Sequence, residues 1–105
     1  MRIYLLLAVL FLNALIVCTG AAANDSQRGK RLAETHCAIC HSVERQGESP
    51  LRSAPPFRSL HHRYPVESLE EALAEGIVTG HPQMPMFRFN ARQIGDLIAF
   101  LKTLE

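Results

Sequence analysis

Residues Thr35–Glu44 read THCAICHSVE, and the five positions from Cys37 to His41 hold two cysteines and a histidine in the order C-x-x-C-H. Thiols three apart, with an imidazole directly after the second, suit three chemistries. They can form a redox dithiol, supply part of a zinc site, or hold a haem covalently. The rest of the chain decides among them.

The chain has 105 residues, enough for one small domain. Met1-Arg2 is a short basic start, IYLLLAVLFLNALIVC is an apolar run broken only by Asn13, and Ala21-Ala22-Ala23 are small. A charged start, an apolar stretch and an A-x-A site make a secretory signal peptide, so residues 1–23 are expected to be cleaved between Ala23 and Asn24. An uncleaved anchor is the alternative, but the run is shorter than the roughly 20 apolar residues a span prefers. Cys18 does not read as a lipid-modified cysteine, because Val17 stands where a small residue is wanted.

Cys18 and Arg2 leave with the leader. The mature domain, residues 24–105, then keeps only Cys37 and Cys40, and its ten basic residues equal its ten acidic ones. That balance argues against nucleic acid as a partner, since phosphate binding wants a clear basic excess. At about 80 residues one apolar core is marginal and a staple helps. The mature chain offers no second disulfide and no tryptophan, so something else fills the middle.

The pattern is all-α, with three main helices and no convincing strand. The first is expected over about 26–35, with Asp25 or Ser26 as its cap; Gly29 inside it costs helix stability, which suggests a close approach by another element. The second is expected over 66–75, with Pro65 at its start, acids in its first turns and Gly76 as its stop. The third lies in NARQIGDLIAFLKTLE: Asn90 and Gln93 stand where a capping box wants them, and Ile94, Leu97, Ile98, Leu101 and Leu104 form one apolar stripe. Between the helices run two long irregular stretches rich in proline, phenylalanine, arginine and methionine. Loops of that length are uncommon in a compact domain unless they serve a purpose, and their content suits packing around a bulky object.

A redox dithiol belongs at a strand-to-helix junction, and no strand-forming run precedes Cys37. A structural zinc needs four ligands, and His36, His41, His61, His62 and His81 give no persuasive second pair. Covalent haem attachment uses both thiols and His41 together, and it suits an exported chain whose remaining cysteines are these two.

With Gly29, CAICH, APPF, QMPMF and LIAFLKTL in this order, nearly all of residues 26–105 resemble the class I c-type cytochromes, and RYPVESLEEALAEGIVTGHPQMPMF is similar to small soluble ones of Gram-negative, particularly alphaproteobacterial, sources. The resemblance implies a small cytochrome c fold, with loops wrapped around one haem c attached through thioethers to Cys37 and Cys40. It implies His41 as the proximal iron ligand and Met84 as the distal one, with Met86 the alternative two residues on. It also implies that the Pro55 carbonyl accepts the other N–H of His41, that Phe57 packs on the haem, and that Gly29 and Phe100 meet where the first and last helices cross. Arg63 stands where some members place an arginine near a propionate. His61, His62 and His81 read as exposed loop histidines.

The expectation is therefore a periplasmic monohaem electron carrier, not an enzyme. It would be a monomer that meets redox proteins transiently and has no membrane span in its mature form. Arg28, Lys30 and Arg31 could orient docking. A haem-based ligand binder or sensor with a labile methionine, or a haem subunit of a larger oxidoreductase, are the alternatives. Cleavage gives a mature chain beginning at Asn24. The intact mass of the exported protein checks this, and a mass that retains residues 1–23 would indicate the anchored form.

Overall fold

The computed structural model describes residues 24–76 and 83–105. The leader, residues 1–23, and the segment 77–82 with His81 lie outside the described residues. The described residues are helical, with no strand. Helix α1 covers residues 24–36. A 3₁₀ helix, Phe57–His62, follows the first loop, and a second 3₁₀ turn, Val66–Ser68, leads straight into α2, Leu69–Glu75. Helix α3 is Ala91–Lys102.

α3 starts where its cap residues dictate. The Asn90 side chain accepts from the Gln93 amide at 2.8 Å and the Asn90 amide donates to the Gln93 side chain at 3.0 Å, so two of the donors a helix start leaves unpaired are satisfied. Ile94, Leu97, Ile98 and Leu101 are all buried, and Leu104 continues the apolar face through a turn in which its amide reaches Leu101 O at 3.0 Å. Each such side chain stabilises by roughly 1.5–3 kcal/mol when fully buried. This face meets α2 through Leu73 and the second 3₁₀ turn through Val66. An exposed ion pair of Glu67 with Lys102 joins the same turn to the end of α3.

Three local expectations change. Residue 24 is already helical, so Asp25 and Ser26 lie inside α1 and not at its cap; the Asp25 carboxylate pairs with Arg28 one turn on. The second helix has two pitches, 3₁₀ over Val66–Ser68 and α from Leu69. The first irregular stretch contains the 3₁₀ helix Phe57–His62, which takes in His61 and His62. Pro56 fixes the entering backbone at φ −58°, and Phe57 and Leu60 sit three apart, the 3₁₀ period, with both side chains buried.

The crossing of α1 and α3 depends on Gly29. A Cβ at Gly29 would lie 1.9 Å from Asp96 O and 2.8 Å from Phe100 Cβ. No side chain fits there. Ala33, one turn further along α1, is wholly buried. Beside the crossing, the buried Asp96 carboxylate receives two bonds from Arg28, Nε at 2.9 Å and a terminal nitrogen at 3.1 Å. A two-point arginine fork of this kind fixes orientation as well as supplying charge-assisted bonds.

Gly29 and Gly95 make a paired test. Gly29→Ala gains about 1 kcal/mol of helix propensity, but it drives a methyl into backbone, and overpacking costs 1–3 kcal/mol or more. It is expected to destabilise. At Gly95, within α3, a Cβ would meet nothing within 4 Å, so Gly95→Ala is expected to stabilise by up to about 1 kcal/mol. Denaturant unfolding of the two haem-loaded variants should show opposite signs.

Candidate haem-binding site

The C-x-x-C-H segment is the turn that closes α1. The Cys37 amide reaches Ala33 O at 2.8 Å and the Ala38 amide reaches the same oxygen at 3.0 Å, which ends the helix. The next bonds, Cys40 and His41 amides to Cys37 O at 3.2 and 2.9 Å, wind the motif into one further turn. Cys37 and Cys40 are half-buried and unlinked, Cys37 packs against the core, and Ile39 between them is 82% exposed. The turn therefore has an inner side with the thiols and an outer side with Ile39. The Leu51 amide donates to Cys40 O at 3.1 Å and the Phe57 amide to Ser42 O at 2.9 Å, which draws the loop back beside the motif. The buried Ser49 hydroxyl accepts from the Ser42 amide at 3.0 Å, satisfying the backbone inside that loop.

His41 is fixed by its second nitrogen. Its Nδ1 lies 2.7 Å from Pro55 O. A carbonyl only accepts, so Nδ1 carries the proton and Nε2 presents its lone pair. The half-buried imidazole also lies 5.0 Å from the ring of buried Phe57, tilted by 40°. The contact expected for Pro55 is present, Phe57 is placed beside the imidazole, and Phe100 meets the Gly29 position.

The donor set tests the three chemistries. Burial pushes the Cys37 thiol up to about 11. A dithiol oxidoreductase needs its attacking thiol lowered toward neutrality, so Cys37 is poorly suited to that work. Among the described residues no three His, Cys, Asp or Glu side chains converge as a metal-binding group, which leaves zinc without a tetrahedral set. Two partly buried thiols and an oriented imidazole in one turn fit a covalently attached haem.

On the other side of the chain, Met84 is half-buried and Met86 is 57% exposed. Met86 is seated on Gly76, the residue that ends α2 at φ +93°: a Cβ there would lie 2.9 Å from both Cγ and Sδ of Met86. Phe89 donates its amide to Leu73 O at 3.1 Å. The segment bearing both methionines is thus fastened to the end of α2. Two further side chains have partners that the sequence does not announce. His36, the last residue of α1, packs edge-on against Phe87 and Phe89, and Asp96 buries its charge on Arg28. The alternation of Phe87 and Phe89 hinted at a shared side, but nothing in the sequence names what meets them.

Residues 26–105 match the family model for cytochrome c. The chain belongs to the cytochrome c family. It is similar to cytochrome c-552 of Bradyrhizobium diazoefficiens, with 32% identity over 87 residues that cover 83% of this chain and 82% of that one. It is also similar to a cytochrome c-553-like protein of Synechocystis, with 30% identity over 87 residues, 80% of this chain and 73% of the other. No solved structure matches it at a significant level. As a cytochrome c it is a haem electron carrier with covalently bound haem c, working with redox partners. Among the described residues no helix is long and apolar enough to cross a membrane.

Phe57 joins the core to the imidazole. Phe57→Ala is expected to cost about 3–5 kcal/mol as a buried aromatic truncation, and Phe57→Leu clearly less. Urea unfolding of the holoproteins measures both.

Proposed function

We propose that the mature chain, residues 24–105, is a periplasmic monohaem electron carrier with His/Met axial ligation. Cys37 and Cys40 hold the haem through thioethers, His41 ligates the iron through Nε2, and Met84 supplies the sixth ligand. The observation that carries this reading is the 2.7 Å bond from His41 Nδ1 to Pro55 O within the turn that holds both thiols. It leaves one nitrogen free and aimed by the backbone, the preparation an axial imidazole needs.

When bound, haem c supplies a one-electron Fe(III)/Fe(II) couple, and Met/His ligation raises its potential. The chain's own contribution is to fix both ligands and keep them fixed as the charge changes. Pro55 holds the proton on Nδ1, Phe57 restricts the ring, and the attachment of Met86 to Gly76 leaves Met84 as the thioether free to turn inward. With His41 and Met84 both committed to the iron, a bound haem would keep no ligand position open to a substrate, which supports a carrier over an enzyme. The balanced charge of the mature chain suits brief docking by small surfaces on donor and acceptor proteins, with the carrier itself a monomer. Export with removal of residues 1–23 delivers it to the periplasm, where the two thiols can be joined to haem.

The test is the absorption spectrum of wild type, Met84→Leu and Met86→Leu after export from a host competent in cytochrome maturation. Wild type and Met86→Leu are expected to share a sharp reduced α-band and the weak far-red band of methionine on ferric iron. Met84→Leu is expected to lose the far-red band, to fall in potential and to bind carbon monoxide rapidly when reduced. Loss of the far-red band in Met86→Leu alone would transfer the ligand role to Met86. Rapid, full carbon monoxide binding by wild type would replace the carrier with a ligand binder.

A further inference from the structure

The haem-attachment turn and the methionine segment come from opposite ends of the domain, yet one side chain links them. His36 ends α1, directly before Cys37. Its ring meets Phe87 at 5.6 Å and 63° and Phe89 at 5.5 Å and 67°, both edge-to-face. Phe87 and Phe89 stack at 5.7 Å and 15°. Met84-Pro85-Met86 is thus followed, in a stretch without regular secondary structure, by two near-parallel rings that receive one imidazole.

The remaining anchors of this segment lead elsewhere. Met86 and the Phe89 amide are tied to α2, and Asn90 is committed to capping α3. His36 provides the aromatic link from the segment to the element that carries Cys37. His36 is not one of the proposed ligands and is half-buried at the edge of the core: Phe89 packs on the apolar cluster, and Phe87 lies outside it.

We propose that His36 is a positioning residue for the sixth ligand. Its ring, held against Phe87 and Phe89, keeps the Met84 segment docked on the attachment turn and so sets how easily Met84 gives way to another ligand. The proposal rests on Met84 being that ligand. Its effect is on the opening of the segment and not on the proximal side, where His41 is held independently by Pro55. Removing both edge-to-face interactions raises the population of opened segment on the order of tenfold.

The experiment compares wild type, His36→Ala, His36→Phe and Phe87→Leu as exported holoproteins. The readouts are the far-red methionine band and the rate at which added imidazole displaces the methionine from the ferric protein. His36→Ala is expected to accelerate displacement on the order of tenfold and Phe87→Leu, which keeps the His36–Phe89 contact, by a smaller but clear factor of about three, with covalent attachment and the reduced α-band unchanged. His36→Phe, which keeps a ring edge, is expected to exchange like wild type. If wild type shows the band but His36→Ala and Phe87→Leu exchange at its rate, the positioning role is overturned while the Met84 reading stands. Exchange by His36→Phe as fast as His36→Ala would overturn the role of the ring edge. Should His36→Ala fail to mature, Phe87→Leu decides alone, since it removes one face of the same aromatic cluster. A wild type without the band, unchanged by Met84→Leu, overturns the ligand assignment and this inference with it.

Discussion

The lack of space at Gly29 organises the rest of the molecule. α1 lies on α3 so closely that the neighbour of its α-carbon is a backbone carbonyl, Asp96 O, and a methyl has no room. Arg28 then seals the contact by its two-point bond to the buried Asp96 carboxylate. From that crossing α1 runs seven residues to His36, and α3 runs six residues back to Asn90. At 1.5 Å per residue each arm is about 10 Å long. The end of α1 and the segment before α3 lie together: His36, the last residue of α1, meets Phe87 and Phe89 directly before the attachment turn.

The same constraint explains how little core the chain manages with. Among the described residues the buried core comes from α3 with Leu104 beyond it, Ala33 of α1, Val43, Leu73, Val66, and the Phe57–Leu60 pair, with no tryptophan in the chain. Cys37, Ala38, Leu69 and Phe89 pack on this cluster but remain partly exposed. A domain of this size sits near the limit of what apolar burial alone can stabilise. Three of the partly exposed residues, Cys37, Ala38 and Phe89, lie in the C-x-x-C-H turn and the methionine segment, where a haem held as proposed would add apolar surface and a cross-link together.

Much of this was legible in the sequence because it is local or periodic. The capping box at Asn90 and Gln93, the stripe from Ile94 to Leu104, the stop at Gly76 and the C-x-x-C-H spacing are all written in residues within a few positions of each other. Gly29 with Phe100, and Pro55 with His41, came from the family resemblance, since nothing in composition or period joins residues so far apart. What stayed hidden has the same cause. Arg28 and Asp96 are 68 residues apart, and Asp96 sits in a helix whose apolar spacing says nothing of a partner. The 3₁₀ helix at Phe57–His62 is too short to show amphipathic repetition and follows two prolines, so it reads as loop. Asp25 has the chemistry of a cap and equally that of an i,i+3 partner for arginine; only the extent of α1 chooses between them.

The two methionines illustrate how packing can separate residues that sequence makes nearly equivalent. Both are thioethers in one five-residue stretch, and either could reach an iron on chemistry alone. Gly76 makes the difference. Its φ of +93° is the conformation that ends α2, and the bare α-carbon this favours is also the seat of the Met86 thioether. A side chain at position 76 would strain the backbone and collide with Met86 at once. Met86 is therefore seated at the end of α2, which supports the proposal that Met84, rather than Met86, is the iron ligand. One glycine thus serves as helix stop and as socket, and the proposed division of labour between the methionines rests on it.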